Sequence, residues 1–151
     1  MDKLMQEAPQ SLRDRMFKPG TARPKEQRIL VLKTGIAGIT HHVENGEELE
    51  VLESLKPGTE LLLYREPENE YDCWAIAVHL TEEDKLGFIT RFKNETIARL
   101  MDVGKRFVAV MDDPETDPIA KEITEKERRR NRRTGTENMA FPISIYMIEE
   151  G

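Results

Sequence analysis

Arg65-Glu66-Pro67-Glu68-Asn69-Glu70-Tyr71-Asp72-Cys73-Trp74-Ala75-Ile76-Ala77-Val78 divides in two. Its end, Ala75-Ile76-Ala77-Val78, runs on into His79-Leu80, is small, apolar and β-branched, and reads as a strand. The residues before it are polar, with a Pro, an Asn, a Tyr and an Asp close together. A strand needs none of that chemistry. A tight connector presenting an aromatic ring beside a carboxylate does. Asn69 and Asp72 can bond nearby backbone N–H groups and fix such a turn, and Tyr71 offers a flat face and a hydroxyl.

Strand patterns continue on both sides. Upstream, Glu60-Leu61-Leu62-Leu63-Tyr64-Arg65 is a strand leading into the connector, after a stop at Lys56-Pro57-Gly58. Leu49, Val51, Leu52 and Leu55 fit a short helix or packed loop before that stop. Ile29-Leu30-Val31-Leu32 opens the core and runs through Thr34 to Ile39, where glycines indicate a bend or a close backbone approach. Thr40-His41-His42 stands at its end. Downstream, Thr81-Glu82-Glu83-Asp84 is a polar turn and Lys85-Leu86-Gly87-Phe88-Ile89-Thr90 the return strand of a hairpin. Asn94 is placed to cap a helix carrying Ile97, Ala98, Leu100 and Met101, which Gly104 ends. Arg106–Met111 is a further strand. Asp112–Asn138 is a polar excursion whose segment Lys121–Arg133 suits a helix. Met139–Ile148 closes the pattern as a last strand. Short strands without a strand–helix–strand rhythm predict a mostly β fold, a small six-stranded antiparallel barrel with one or two short helices. Residues 1–26 read as an N-terminal arm, with Leu4, Ala8, Leu12 and Met16 at helical spacing, and 27–151 as one domain with a charged insertion at about 112–138.

Composition bounds the function. The chain has 151 residues, 38% hydrophobic and 34% charged, enough for one modest core under a solvated surface. No apolar run is long enough to span a membrane, and the N-terminus lacks the apolar core of a secretory signal. Cys73 is the single cysteine, so no intrachain disulfide and no four-cysteine zinc site can form. These features predict a cytoplasmic protein with no cofactor. The net charge of −6 is unevenly spread. Residues 1–33 hold eight Lys/Arg against four Asp/Glu, residues 34–113 eight against seventeen, and residues 114–151 seven against eight. Within the last segment Lys126–Arg133 carries six cations and one anion, a balance of +5. The core is therefore acidic and positive charge sits on its flanks. That disfavours non-specific nucleic-acid binding by the core but leaves room for recognition of a strand end, which needs few phosphate contacts.

Taken together, Gly38, His41 and His42, Pro57-Gly58, Leu61–Leu63, the Arg65–Val78 block, Lys85-Leu86-Gly87-Phe88-Ile89 and the Asn94–Val103 helix resemble a HIRAN domain in order and spacing. This module occurs in some fork-remodelling helicases and as stand-alone bacterial proteins. The resemblance covers about residues 29–111 and 139–149. It implies an OB-like barrel that pockets the 3′-terminal nucleotide of single-stranded DNA. On that resemblance Tyr71 would stack the base and Asp72 would accept a hydrogen bond from the free 3′-hydroxyl. Asn69 would shape the pocket, Phe141 would pack at its rim, and Arg65 would belong to the binding block. Helicase-borne members carry an Arg followed by aromatics where this chain has Thr40-His41-His42. A phosphate-binding Arg is missing there and an imidazole replaces one stacking ring, so on the resemblance His41 and His42 would be the nucleic-acid-binding residues at this place, stacking or donating to a phosphate. The chain contains no G-x-x-x-x-G-K-[ST] phosphate loop, so a helicase or nuclease acting with it would be a separate protein.

Blander readings stand beside these. Tyr71 and Asp72 could simply fix the turn. His41 and His42 could be strand-end residues, and their side chains would point to opposite faces, which with the spacing of Cys73 and His79 argues against a metal site. Trp74 fits packing better than ligand contact. The basic arm of Lys126, Arg128, Arg129, Arg130, Arg132 and Arg133 could track phosphates, or be solvated beside Glu122, Glu125 and Glu127. No nucleophile motif or clustered carboxylate pair supports catalysis. The leading expectation is a non-enzymatic module for single-stranded DNA ends in DNA repair or replication-fork processing. The alternative is a protein-interaction adaptor built on the same barrel.

Overall fold

β1 (Glu26–Ala37) is the strand that closes the sheet. In the computed structural model, which describes residues 26–39, 51–135 and 139–150, it pairs along most of its length with β6 (Pro142–Glu150) and at its end with β4 (Lys85–Ile89). Between Leu30 and Leu32 its register against β6 shifts. A bulge there sharpens the twist and bends the strand, so β1 can leave one neighbour and reach the other. With β2 (Glu60–Arg65), β3 (Ile76–His79) and β5 (Arg106–Met111) the order is β1-β4-β3-β2-β5-β6, a closed barrel, and its strand pairs are antiparallel. Closure removes the unpaired edges that an open sheet would expose.

The expected fold class is the one observed, and the strand patterns read from the sequence each correspond to a strand. Leu61-Leu62-Leu63-Tyr64 shows how: Leu61 and Leu63 enter the core, while Leu62 and Tyr64 face outward. The core joins Ile36, Leu61, Leu63, Ile76, Val78, Ile89, Ile143 and Ile145 from five strands. Ala77 faces the other side of β3 yet is fully buried, because Tyr64 and Phe88 flank it on the neighbouring strands. Gly87 is required by a close approach: a Cβ there would run into the Ala37 carbonyl and the Ile36 side chain of β1.

Two helices complete the described residues beside a helical turn at 51–53. α1 (Glu95–Asp102) buries Ile97 and Ala98 against the core. Asn94 stands at its N-cap as expected, but its side chain makes no capping bond. α2 (Pro118–Asn131) starts on Asp117, whose carboxylate accepts from the Ile119 and Ala120 N–H groups, with Pro118 in the first turn. A 3-10 turn, Arg132–Thr134, follows it. The polar excursion therefore contains a docked helix: Ala120, Thr124 and Glu127 recur at helical spacing and are buried, and α2 packs on β1 and β6. Lys33 of β1 anchors it, donating to Asp117 at 2.7 Å, to Asp112 at 3.4 Å and to Ser144 Oγ at 2.9 Å. Burial alone would lower the Lys33 pKa, but the two carboxylates outweigh that and raise it, while its contact holds Asp117 below the usual carboxylate range. The N-terminal arm, His41 and His42 lie outside the described residues. Among the described residues no helix is long and apolar enough to cross a membrane.

Candidate nucleic-acid interface

The connector between β2 and β3 is rigid because its own polar side chains bond its backbone. Asn69 Oδ1 accepts from the N–H groups of Tyr71 at 2.9 Å and Asp72 at 3.1 Å. Asp72 Oδ1 accepts from the Trp74 N–H at 2.9 Å. Its other oxygen accepts from Asn94 Nδ2 at 2.7 Å, which is what the Asn94 side chain does instead of capping α1. The turn-fixing reading of Asn69 and Asp72 is therefore realised in full. Each Asp72 oxygen still has a second lone pair to offer.

The connector is also held at both ends. Arg65 donates to the carbonyls of Ala75 at 2.7 Å and Cys73 at 3.0 Å and pairs with Asp102 at 2.9 Å, holding that carboxyl below its usual range. Four of its five N–H donors are used inside the protein, and these bonds position the connector. Trp74 has the guanidinium groups of Arg65 and Arg99 over its ring, 5.8 Å and 4.6 Å from its centre, and packs on the core, as its packing reading predicts. Glu66 pairs with Lys85 at 2.6 Å. Partial burial pushes the Glu66 carboxyl up, but hydrogen bonds from Lys85 and Asn69 outweigh it and leave the pKa lowered.

Beside this connector the barrel wall is indented. A cavity of about 260 Å³ is lined by Asn69, Tyr71 and Asp72 of the connector, by Ala37 and Gly38 after β1, and by Phe88 to Arg91 of β4 and its exit. Three predicted site residues are thus brought together. Tyr71 is 82% exposed, so both its ring faces are largely free at the mouth. Phe141 does not line the cavity; its side chain packs against the core, and its carbonyl accepts from the Ile36 N–H at 3.1 Å. Arg91 was missed in the sequence. It is exposed and forms no hydrogen bond or ion pair with the described residues. Phe92, next to it, is 89% exposed. The available signal was Arg91-Phe92-Lys93, a ring between two cations directly after the hairpin strand. The arginine run falls on the end of α2 and the 3-10 turn. Among the described residues no three His, Cys, Asp or Glu side chains cluster as metal ligands would.

The family model described as HIRAN domain matches residues 29–127, about two thirds of the chain. This protein belongs to the HIRAN domain family. Two solved structures share the fold. A crystal structure of a protein from Lactobacillus plantarum is 22% identical, covers 83% of this chain and 99% of its own, and superposes with a TM-score of 0.61. The HIRAN domain of human HLTF is 16% identical, covers 79% of this chain and 75% of its own, with a TM-score of 0.52. A search of curated proteins found no match. HIRAN domains are a family of nucleic-acid-binding modules. In this HIRAN domain the cavity combines an apolar wall, one exposed ring, one carboxylate and one unpaired guanidinium. That set can stack a base, accept a hydrogen bond from a hydroxyl and neutralise a phosphate.

Proposed function

We propose that this HIRAN domain holds the 3′ end of single-stranded DNA in the Tyr71–Asp72 cavity, in DNA repair or replication-fork processing. The observation that carries the reading is the pairing of an exposed Tyr71 ring with the hydrogen-bonded Asp72 carboxylate in one cavity. Tyr71 stacks the terminal base, an interaction that tolerates any sequence. Asp72 accepts a hydrogen bond from the 3′-hydroxyl. Because its remaining lone pairs face a strand end, a continuing phosphodiester would force two anions together and is rejected. Asn69 holds the turn that sets both side chains. Arg91 neutralises the nearest phosphate. A pocket of this size has room for one nucleotide, so the end is read and the sequence is not.

Fluorescence anisotropy with a short labelled single strand tests the reading. A free 3′-hydroxyl should bind at least tenfold more tightly than a 3′-phosphate. Tyr71→Ala should cost about 1–3 kcal/mol of affinity, the range for one base stacked on an aromatic. Asp72→Asn should erase the preference for the free hydroxyl while keeping an acceptor for the Trp74 N–H, so the connector stays folded. Equal affinity for both ends in the wild type would sink end recognition. Absence of binding at low salt would leave the adaptor reading in front.

A further inference from the structure

The arginine run at the end of α2 lies on the same outer face of the barrel as the cavity. The alternation of β1 establishes this. Thr34 and Ile36 are buried on its inner face. Lys33, Gly35 and Ala37 are the alternate residues and share the outer one. Lys33 holds Asp117, the N-cap of α2. Gly35 receives the carboxylate of Glu127, farther along the helix, so closely that a Cβ at that position would overlap it. Ala37 lines the cavity. The two contacts lie about 15 Å apart along α2 and about 7 Å apart along β1, so the helix crosses β1 obliquely, with a component toward the cavity. At ~1.5 Å per residue, Arg133 stands about 9 Å beyond Glu127 along the helix, of which about 4 Å runs along β1 toward Ala37.

Arg128, Arg129, Arg130, Arg132 and Arg133 are all exposed. Arg130 lies 3.9 Å from Glu127; the side chains of the other four make no hydrogen bond or ion pair with the described residues. A cation or two near a helix C-terminus complements its dipole. Five in six residues repel one another and form a favourable seat for a polyanion. The run also lies beyond residues 29–127, the part of the chain that matches the family.

We propose that Arg128–Arg133 form a phosphate track continuous with the cavity, which grips the backbone of the single strand whose terminal nucleotide Tyr71 and Asp72 hold. The inference rests on the end-binding reading and extends it to the nucleotides that follow. Guanidinium groups suit the task, since each can bond two phosphate oxygens at once.

The test compares wild type, the triple variant Arg129→Gln/Arg132→Gln/Arg133→Gln and Tyr71→Ala. The probes are 5′-labelled oligothymidylates of about three and about fifteen nucleotides, with free 3′-hydroxyls, titrated over a salt series. The three substituted side chains are exposed and make no internal bonds, and circular dichroism checks the fold. The triple variant should bind the long strand at least tenfold more weakly at low salt and the short one unchanged. Its slope of log affinity against log salt should flatten by about 2, from ~0.7 for each phosphate released on a single strand. A triple Lys variant should retain the wild-type slope. An unchanged slope on the long strand, with Tyr71→Ala still weakening both probes, overturns the track and leaves the pocket. Long-strand binding that needs the arginines but ignores Tyr71 overturns the continuity. A wild type that binds neither probe removes the end-binding reading and the track with it.

Discussion

Glu127→Gln should stabilise this domain at alkaline pH and leave it nearly unchanged in mild acid. Glu127 is buried on the inward face of α2, against Gly35. Burial pushes its carboxyl from the ordinary 4.5 to about 7, although the nearby Arg130 and the Phe141 backbone amide pull the other way. Between those two values the folded protein holds a proton that the unfolded chain has released. Stability contributed by Glu127 is therefore complete below about 4.5 and declines as pH rises through about 7. At about 1.4 kcal/mol for each tenfold change in proton affinity, the ionised carboxylate costs the folded state roughly 3 kcal/mol at pH 8. The substituted amide would carry no charge and could still accept from the Phe141 N–H. The assay is urea unfolding followed by the single Trp74, for wild type and Glu127→Gln, at pH 5 and pH 8. Groups elsewhere that titrate, such as the depressed Glu66, Asp102 and Asp117, cancel in the difference between the two proteins. The variant should exceed wild type by about 2–3 kcal/mol at pH 8, with most of that advantage gone at pH 5. A difference that is the same at both pH values, or larger at pH 5, would refute the argument.

Gly35→Ala should displace Glu127 from β1 and cost about 1–3 kcal/mol, the usual penalty of overpacking; the same unfolding assay at pH 8 reads it, and a neutral result would mean that α2 is not seated there. Lys33→Met should lower stability at pH 7 by about 2 kcal/mol, since it leaves Asp112, Asp117 and Ser144 without their shared cation. It should also lessen the loss of stability in acid, because the part of Asp117's lowered pKa that Lys33 supplies would be gone, leaving only the part held by the Ile119 and Ala120 N–H groups. Thermal melts from pH 3 to pH 7 check both parts.

The strands were legible because each carries its own signature. The Leu61–Leu63 run, the Ala75–Val78 block and the hairpin Lys85–Ile89 declare themselves by local composition and by the turns between them. Asn69, Tyr71 and Asp72 were legible as a connector for the same reason: an Asx turn is made within a few residues. Arg65 entered the binding block through the resemblance alone. Only the fold shows its guanidinium turned onto the Ala75 and Cys73 carbonyls and Asp102. Asn94 misled, since its place before a helix matches a cap, while the partner it actually serves, Asp72, is remote in sequence.

By itself the sequence determined the strands, the hairpin, the helix that follows it and the chemistry of the connector, because all of these arise from neighbours along the chain. The tertiary structure decided three other matters. It bent β1 from β6 to β4 and so closed the barrel. It brought Arg91 to the Tyr71–Asp72 cavity, and it packed α2 on β1 and β6 so that Glu127 is buried against Gly35. Each depends on which distant surfaces meet, and that is set by the packing of the whole core and not by any local pattern.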